Sequence, residues 1–250
     1  MRIKVTLSHI KGRGFDFPVN YNYIIQSFIY NHLSPKISNF IHEKGYSYGK
    51  RKYRMFNFSR LIGDYNFDKR TKSLKFKSSF SFIISSPDID FVSDIANNLI
   101  NKDICQFFDK DFNIVSIEVF KEPKFENSHI IKMISPVVVY QTLYTIDKKK
   151  KTYYYSPVEN EFSDLVNDNI SRKFQAFYKI ENKKRKITIT PLGHKSFNKV
   201  VINYKGTYIN AFYGVFKLTG NKKLIKLSYY SGLGSKNSQG FGMFEIKKEN

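Results

Sequence analysis

The sequence predicts an α+β protein made of two small units in tandem, each with the element order β-α-β-β-α-β. Three observations carry that prediction. The 250 residues are enough for two small domains with separate cores, or for one large one. Apolar residues alternate with period two in some stretches and recur at helical spacing in others. The succession of strand-like and helix-like stretches in residues 1–124 returns, with longer decorations, in residues 125–250. With 41% hydrophobic and 25% charged residues, the chain has the composition of a folded protein rather than a disordered one.

In the first half, residues 2–8 alternate as a strand. Residues 22–33 then place Ile24, Ile25, Phe28, Ile29 and Leu33 on one helical face. Ser34-Pro35 restarts the chain, since serine suits the N-cap and proline the first helical position. The short helix that follows turns Ile37, Phe40 and Ile41 inward and closes on His42-Glu43-Lys44-Gly45, with Gly45 as C-cap. Residues 53–62 and 74–84 alternate as paired strands. Ser86-Pro87-Asp88 caps a helix with Ile89, Val92, Ile95, Ala96, Leu99 and Ile100 along one stripe. Residues 112–120 form a last strand ahead of Glu122-Pro123, which completes the split-βαβ, or ferredoxin-like, order.

The second half begins with a strand over residues 130–140, interrupted at Ser135-Pro136, and a hairpin whose tip carries Lys148, Lys149, Lys150 and Lys151. Ser156-Pro157-Val158-Glu159 reads as a capping box with proline at the first helical position. The helix behind it buries Phe162, Leu165, Val166, Ile170 and Phe174. Strands over 186–190, 199–204 and 208–218, a short helix over 222–229 and a closing strand over 241–246 follow. The join between the two units falls near residues 122–127.

The formal net charge is +21, from 42 basic and 21 acidic side chains, and favours a polyanionic partner. Aromatic residues reach 17%, all of them Phe and Tyr. Basic grooves with aromatic platforms suit single-stranded nucleic acid, whose unstacked bases lie on rings. The lone Cys105 sits in an apolar stretch and reads as a buried small hydrophobe. No run approaches the ~20 apolar residues that cross a bilayer, and the first residues alternate instead of forming a signal peptide. The expectation is a soluble cytoplasmic protein with no membrane partner. No His/Cys/carboxylate cluster has metal-ligand spacing, which is consistent with a chain that needs neither metal nor cofactor.

The most distinctive stretch is Gly232-Leu233-Gly234-Ser235-Lys236-Asn237-Ser238-Gln239-Gly240-Phe241-Gly242. Glycines permit left-handed backbone, and successive free N–H groups in such a loop can cradle an anion, with Lys236 adding charge. The alternative is a plain connection between a helix and the last strand. Two familiar phosphate loops are excluded. Asn237 stands where a dinucleotide fingerprint needs its third glycine, and the Gly-Lys-Ser/Thr ending of a Walker A loop is missing.

This stretch, continued by Met243, resembles the C-terminal signature of the CRISPR repeat-processing endoribonucleases of the RAMP superfamily. Upstream, Lys205-Gly206-Thr207-Tyr208 and Gly214-Val215-Phe216-Lys217-Leu218-Thr219-Gly220 extend the likeness, as does the helix from Pro157 to Phe174. Near the front, Phe28-Ile29-Tyr30, Ile41-His42-Glu43 and Phe56-Asn57-Phe58-Ser59 fall in the family's order. The resemblance implies two tandem ferredoxin-like (RRM-like) domains side by side, 1–124 and 125–250, with RNA on the face and cleft between them. It implies metal-independent cleavage within the repeat of a precursor RNA, by 2′-OH attack that leaves a 2′,3′-cyclic phosphate and a 5′-OH.

That chemistry needs a base near the 2′-OH, an acid near the leaving oxygen and positive charge for the phosphorane. The resemblance makes His42 the general acid or base, an imidazole being able to work in either direction near neutrality. Without it, His42 reads as an ordinary surface histidine. Tyr30 matches a family tyrosine that acts with the histidine. Arg54 stands where several members carry lysine. A planar guanidinium is a poor proton donor, so Arg54 is expected to stabilise the phosphorane, with Lys52 as its substitute on the same side of an extended strand. RNA contacts are expected from Gly232, Gly234, Ser235, Lys236, Asn237, Ser238, Gln239, Gly240 and Gly242, and from Lys184, Arg185, Lys222 and Lys223. His9, His32, His129 and His194 have no motif support and read as structural or exposed. The implied partner is CRISPR repeat RNA, precursor and mature. Interference-complex subunits and a second copy of the chain are left open as further partners, and a RAMP subunit that holds RNA without cutting it is the rival reading. A mononucleotide enzyme is disfavoured by the glycine spacing.

Overall fold

Strand Arg2–His9 is central to the first sheet because Ile3, Val5 and Leu7 alternate inward against matching residues on its neighbour: Ile3 faces Ile84, Val5 faces Phe82 and Leu7 faces Phe80. The structure is a computed structural model that describes residues 1–12, 14–193 and 195–247. The first sheet runs Asn57–Phe58, Ser79–Ser85, Arg2–His9, Lys110–Val119, Ile104–Phe107, antiparallel throughout. Helices α1 (Asn22–Asn31) and α3 (Ile89–Ile100) cover its apolar face with Ile24, Ile25, Phe28, Ile29, Phe91, Val92, Ile95 and Leu99. Counting only strands of the β-α-β-β-α-β unit, the spatial order is second, third, first, fourth.

The second half repeats that order. Its sheet runs Ile187–Pro191, Thr207–Gly220, Ser128–Met133, Phe244–Ile246, again antiparallel. Helices α4 (Asn160–Tyr178) and α5 (Lys222–Ser231) pack Phe162, Val166, Ile170, Phe174, Leu224, Ile225 and Leu227 onto it. Each half thus has its own apolar cluster and the strand order of a ferredoxin-like unit.

Several local expectations are modified. Of residues 53–62, Tyr53 ends the separate strand Arg51–Tyr53, and the rest hold the two-residue strand Asn57–Phe58 and an isolated bridge from Ile62 to Ser81. Met55 takes positive φ (53°), and the Ser59 hydroxyl, not a backbone carbonyl, accepts the Ile83 N–H. Residues 74–84 divide between Ser73–Phe76 and Ser79–Ser85, which enter different sheets. The strand expected over 130–140 likewise splits into Ser128–Met133 and Tyr140–Tyr144. The second pairs with Lys150–Tyr154 as a two-stranded ribbon. The capping box is half realised. Glu159 accepts the Ser156 N–H, but Glu159 is itself the N-cap, so Pro157 lies outside the helix. The cap on α3 is as expected, the Asp88 carboxylate accepting from the Asp90 and Phe91 N–H groups.

The halves are joined by buried polar contacts. The Arg2 guanidinium donates to the carbonyls of Phe244 (2.9 Å) and Tyr229 and to the Ser85 hydroxyl (3.3 Å), and lies 3.4 Å from the Tyr229 ring centroid. Burial lowers its pKa to about 10, which leaves it charged at neutral pH. On another side, the Asn22 and Gln26 amides of α1 donate to the carbonyls of Gln239 (2.7 Å) and Ser238 (2.6 Å).

Candidate active site and nucleic-acid cleft

Three separate elements bring His42, Tyr30 and Arg54 together. Tyr30 stands near the end of α1, half-buried. After His32 the chain restarts as α2 (Pro35–Asn39), with Pro35 in its first turn as expected. It then winds into a wider π-helical turn, Phe40–Lys44, that buries Ile41 and leaves His42 exposed. The Gly45 N–H closes that turn on the Phe40 carbonyl at 2.7 Å. The Tyr30 and His42 rings meet edge to face with centroids 6.3 Å apart. Arg54 follows the ribbon Tyr46–Tyr48/Arg51–Tyr53, and its Nε–H donates to the Tyr30 hydroxyl at 3.0 Å. Burial, outweighing the opposing Arg54 charge, raises the Tyr30 pKa, so the phenol keeps its proton at neutral pH. With its oxygen accepting from Arg54, that proton is free for another acceptor.

These side chains line a cleft of 370 Å³ together with Gln26, Ser27, Asn31, Tyr204, Lys205, Ser238 and Gln239. The second half therefore supplies part of the wall. Tyr204 and Lys205 lie at the tip of the hairpin Phe197–Tyr204/Thr207–Gly220, whose Lys205-Gly206 turn has both residues at positive φ (48° and 83°). Such a turn matches the twist of the flanking strands. The Tyr204 hydroxyl donates to the Gln26 side-chain oxygen, and burial raises its pKa. The spacing of motifs gave no sign that Tyr204 and Lys205 share a cleft with His42, since hairpin and histidine are joined only by tertiary packing.

A larger cleft of 810 Å³ adjoins this one and shares Arg54, Ser238 and Gln239 with it. Arg51, Lys52, Lys173 and Lys236 also line it, with Tyr140, Gln141, Thr142, Asn169 and Ser235, and among the described residues no acid lines either cleft. Lys52 belongs to this second cleft. Its ammonium donates to the Glu43 carbonyl at 2.7 Å, where it props the histidine turn rather than standing beside Tyr30.

The glycine stretch departs from the picture of an open cradle. Gly232, Gly234, Gly240 and Gly242 are buried. The N–H groups of Gly232, Leu233, Ser235, Gln239, Gly240 and Gly242 are already bonded to backbone carbonyls. Close approach is what requires glycine here. A Cβ on Gly240 (φ 86°) would lie 2.4 Å from the Phe58 ring, and one on Gly242 (φ 82°) would lie 2.0 Å from the Leu233 carbonyl oxygen. The loop is a wedge between the halves, and the side chains it turns to the clefts are Ser235, Lys236, Asn237, Ser238 and Gln239. Lys173 clamps it from below, donating to Asn237 Oδ1 (2.6 Å) and the Gly232 carbonyl (2.8 Å), with the Gly234 carbonyl at 3.4 Å. Full burial without a carboxylate partner lowers the Lys173 pKa to about 7. Sequence reasoning missed this lysine. Its signal was a charge on the apolar stripe of α4, seven residues after Val166 and three after Ile170.

The other basic candidates do not line either cleft. Lys222 pairs with Glu126 at 3.0 Å and Lys226 with Glu122 at 2.8 Å, so the basic start of α5 is held by the acidic join between the halves. Lys223 and Lys184 are exposed, and Arg185 lies over the Phe174 ring at 5.1 Å. His32 is buried with Nδ1 2.8 Å from the Phe28 carbonyl, and burial lowers its pKa. His9 packs on Phe15 and Phe112, and His129 accepts the Glu126 N–H. His194 lies outside the described residues. Cys105 is buried, which raises its pKa to about 11. Among the described residues no group of three or more His, Cys, Asp or Glu side chains is placed to hold a metal ion, and no helix is long and apolar enough to cross a membrane.

Comparison with known proteins places this arrangement in context. Residues 120–246 match the family model for the C-terminal region of CRISPR associated protein Cas6. The chain is 28% identical over 252 residues to the CRISPR-associated endoribonuclease Cas6 of Pyrococcus furiosus, across 95% of this chain and 86% of that protein. It is also 28% identical over 231 residues to the CRISPR-associated endoribonuclease Cas6 1 of Methanocaldococcus jannaschii, across 90% and 85%. A solved structure of CRISPR associated protein Cas6 is 26% identical, with TM-score 0.79 over 99% of both chains. A structure described as a RAMP protein binding different RNA substrates shares the fold at TM-score 0.82 and 22% identity, over 99% of this chain and all of that one.

Proposed function

The chain belongs to the Cas6 family of CRISPR-associated proteins, and on that premise we propose that it is the endoribonuclease that binds precursor CRISPR RNA and cuts within its repeat. The observation that carries the chemical reading is the convergence of His42, Tyr30 and Arg54 in one cleft completed by the other half of the chain. In this reading the ribose 2′-oxygen attacks the adjacent phosphorus while the bond to the 5′-oxygen breaks. The 2′-oxygen loses a proton and the 5′-oxygen gains one, which gives a 2′,3′-cyclic phosphate and a 5′-OH. His42 exchanges a proton with one of these oxygens. The neutral Tyr30 phenol donates its hydrogen bond to a phosphate oxygen, and Arg54 holds the phenol and the negative charge of the phosphorane. Lys52 acts indirectly, by supporting the turn that carries His42.

The 810 Å³ cleft holds the flanking RNA through Arg51 and Lys236 and the polar side chains of the wedge, which Lys173 keeps in place from below. The glycines serve that function by shape. The same reading divides the chain into a catalytic unit, 1–124, and a unit that bears the wedge, 125–250.

Repeat RNA incubated with the protein in EDTA is expected to be cut. Uncut RNA with binding intact would leave the role of a non-cleaving RNA-holding subunit. His42→Ala is expected to lower the cleavage rate by roughly 10²–10⁴ while RNA affinity is kept. Wild-type cleavage by that variant would remove His42 from the mechanism.

A further inference from the structure

The ribbon Tyr140–Tyr144/Lys150–Tyr154 forms a sheet of its own, separate from both main sheets. Residues directly opposite in an antiparallel pair share a face. Tyr140 therefore lies beside Tyr154, Thr142 beside Thr152, and Tyr144 beside Lys150 on one face. That face starts inside the larger cleft, where Tyr140 and Thr142 form part of the wall. There the Tyr140 and Tyr154 rings lie 5.8 Å apart, and the Lys236 ammonium sits 5.3 Å from the centre of the Tyr140 ring. It ends in solvent, with Tyr144 67% exposed and Ile146 fully so. The tip adds Lys148, Lys149 and Lys151 to Lys150 against the single acid Asp147, and the ion pairs among the described residues involve none of the four.

A row of rings and hydroxyls with ammonium groups at its outer end, continuous with a basic cleft, is the surface that single-stranded nucleic acid recognises. Bases stack on the rings and phosphates meet the cations. A packing role would bury the outer rings, and here they are exposed. Resting on the RNA-cleaving reading above, we propose that the ribbon is an RNA-holding arm. RNA leaving the cleft past Tyr140 stacks a base on Tyr144 and sets its phosphates against Lys148, Lys149 and Lys150, while Lys151, opposite Leu143, belongs to the other face. The arm lengthens the bound stretch by about 15 Å, the span of a five-residue strand.

The test measures binding and nuclease-protection footprints of full repeat RNA on the whole protein. One variant carries Lys148→Gln, Lys149→Gln and Lys150→Gln together, and a second carries Tyr144→Ser. The lysine variant is expected to bind about 10–100-fold more weakly at ~0.15 M salt, with the slope of log affinity against log salt smaller by about 2–3. Tyr144→Ser should weaken binding about tenfold. In both, protection at one end of the footprint should vanish while protection over the cut site stays. Variants that keep the wild-type footprint and slope, or that lose protection evenly along the RNA, would overturn the arm. If the wild-type protein itself neither binds nor cuts repeat RNA, the functional reading fails first. Wild-type protein that cuts, beside indifferent ribbon variants, refutes the arm alone.

Discussion

At the scale of single residues, the consequential group is Lys173, a buried cation with no carboxylate beside it. Lys173 has a folded-state pKa of about 7, below its unfolded value. Between those two values the unfolded chain holds a proton that the folded one has released, so stability rises with pH across that window and the cost of burial is fully felt below it. The Met1 ammonium, lowered by burial to about 6, acts in the same direction at lower pH. Urea unfolding of the wild type between pH 7 and pH 9 is therefore expected to show rising stability. Lys173→Met, which fills similar space without a charge, should flatten that rise and loosen RNA binding by freeing the wedge. An unchanged pH slope would mean that Lys173 is not held as described. The residues legible in sequence were those whose partners lie close in the chain, such as Asp88 capping its own helix. Arg2 and Lys173 bond residues 242 and 64 positions away, and nothing local announces such pairs.

At the scale of elements, the helical stripes of α1, α3 and α4 were readable because period 3.6 follows from burying one face. The short strands were not. Residues 53–62 alternate like a strand, yet Ser59 and Met55 divert the backbone from the ladder. The glycine stretch was legible as special and misleading as to why, since its burial depends on Phe58 and Asn22 from the opposite half. Gly240→Ala tests that account. A Cβ 2.4 Å from the Phe58 ring, on a backbone at φ 86°, should cost about 2–4 kcal/mol, from left-handed strain plus overpacking. The denaturant midpoint would report it. Loss of RNA affinity at unchanged stability would instead favour direct contact between glycine backbone and RNA.

At the scale of the whole molecule, the alternation of elements in the sequence predicts two units, but not how the halves meet. The meeting creates the clefts. Arg2→Met removes three donors from a buried interface and leaves the Phe244 and Tyr229 carbonyls without their Arg2 donors. An expected loss of about 2–5 kcal/mol should appear as a lower thermal midpoint, with cleavage impaired although His42, Tyr30 and Arg54 are untouched. Full activity in that variant would show that the halves hold together without this contact. The net charge of +21 belongs to the same scale. RNA affinity should fall steeply with salt, because each neutralised phosphate releases a counterion.

The hairpin tip at Tyr204-Lys205 and the wedge at Ser238-Gln239 close the cleft around a histidine that precedes them by more than half the chain. A ribosome that has made His42, Tyr30 and Arg54 has not yet made the cleft that they line. On the function proposed above, the emerging first half carries the reactive groups without the walls that hold a substrate against them, and Arg2 waits for carbonyls that are synthesised near the end. On that reading, nascent and prematurely terminated chains lack the walls of the cleft and are expected not to cut.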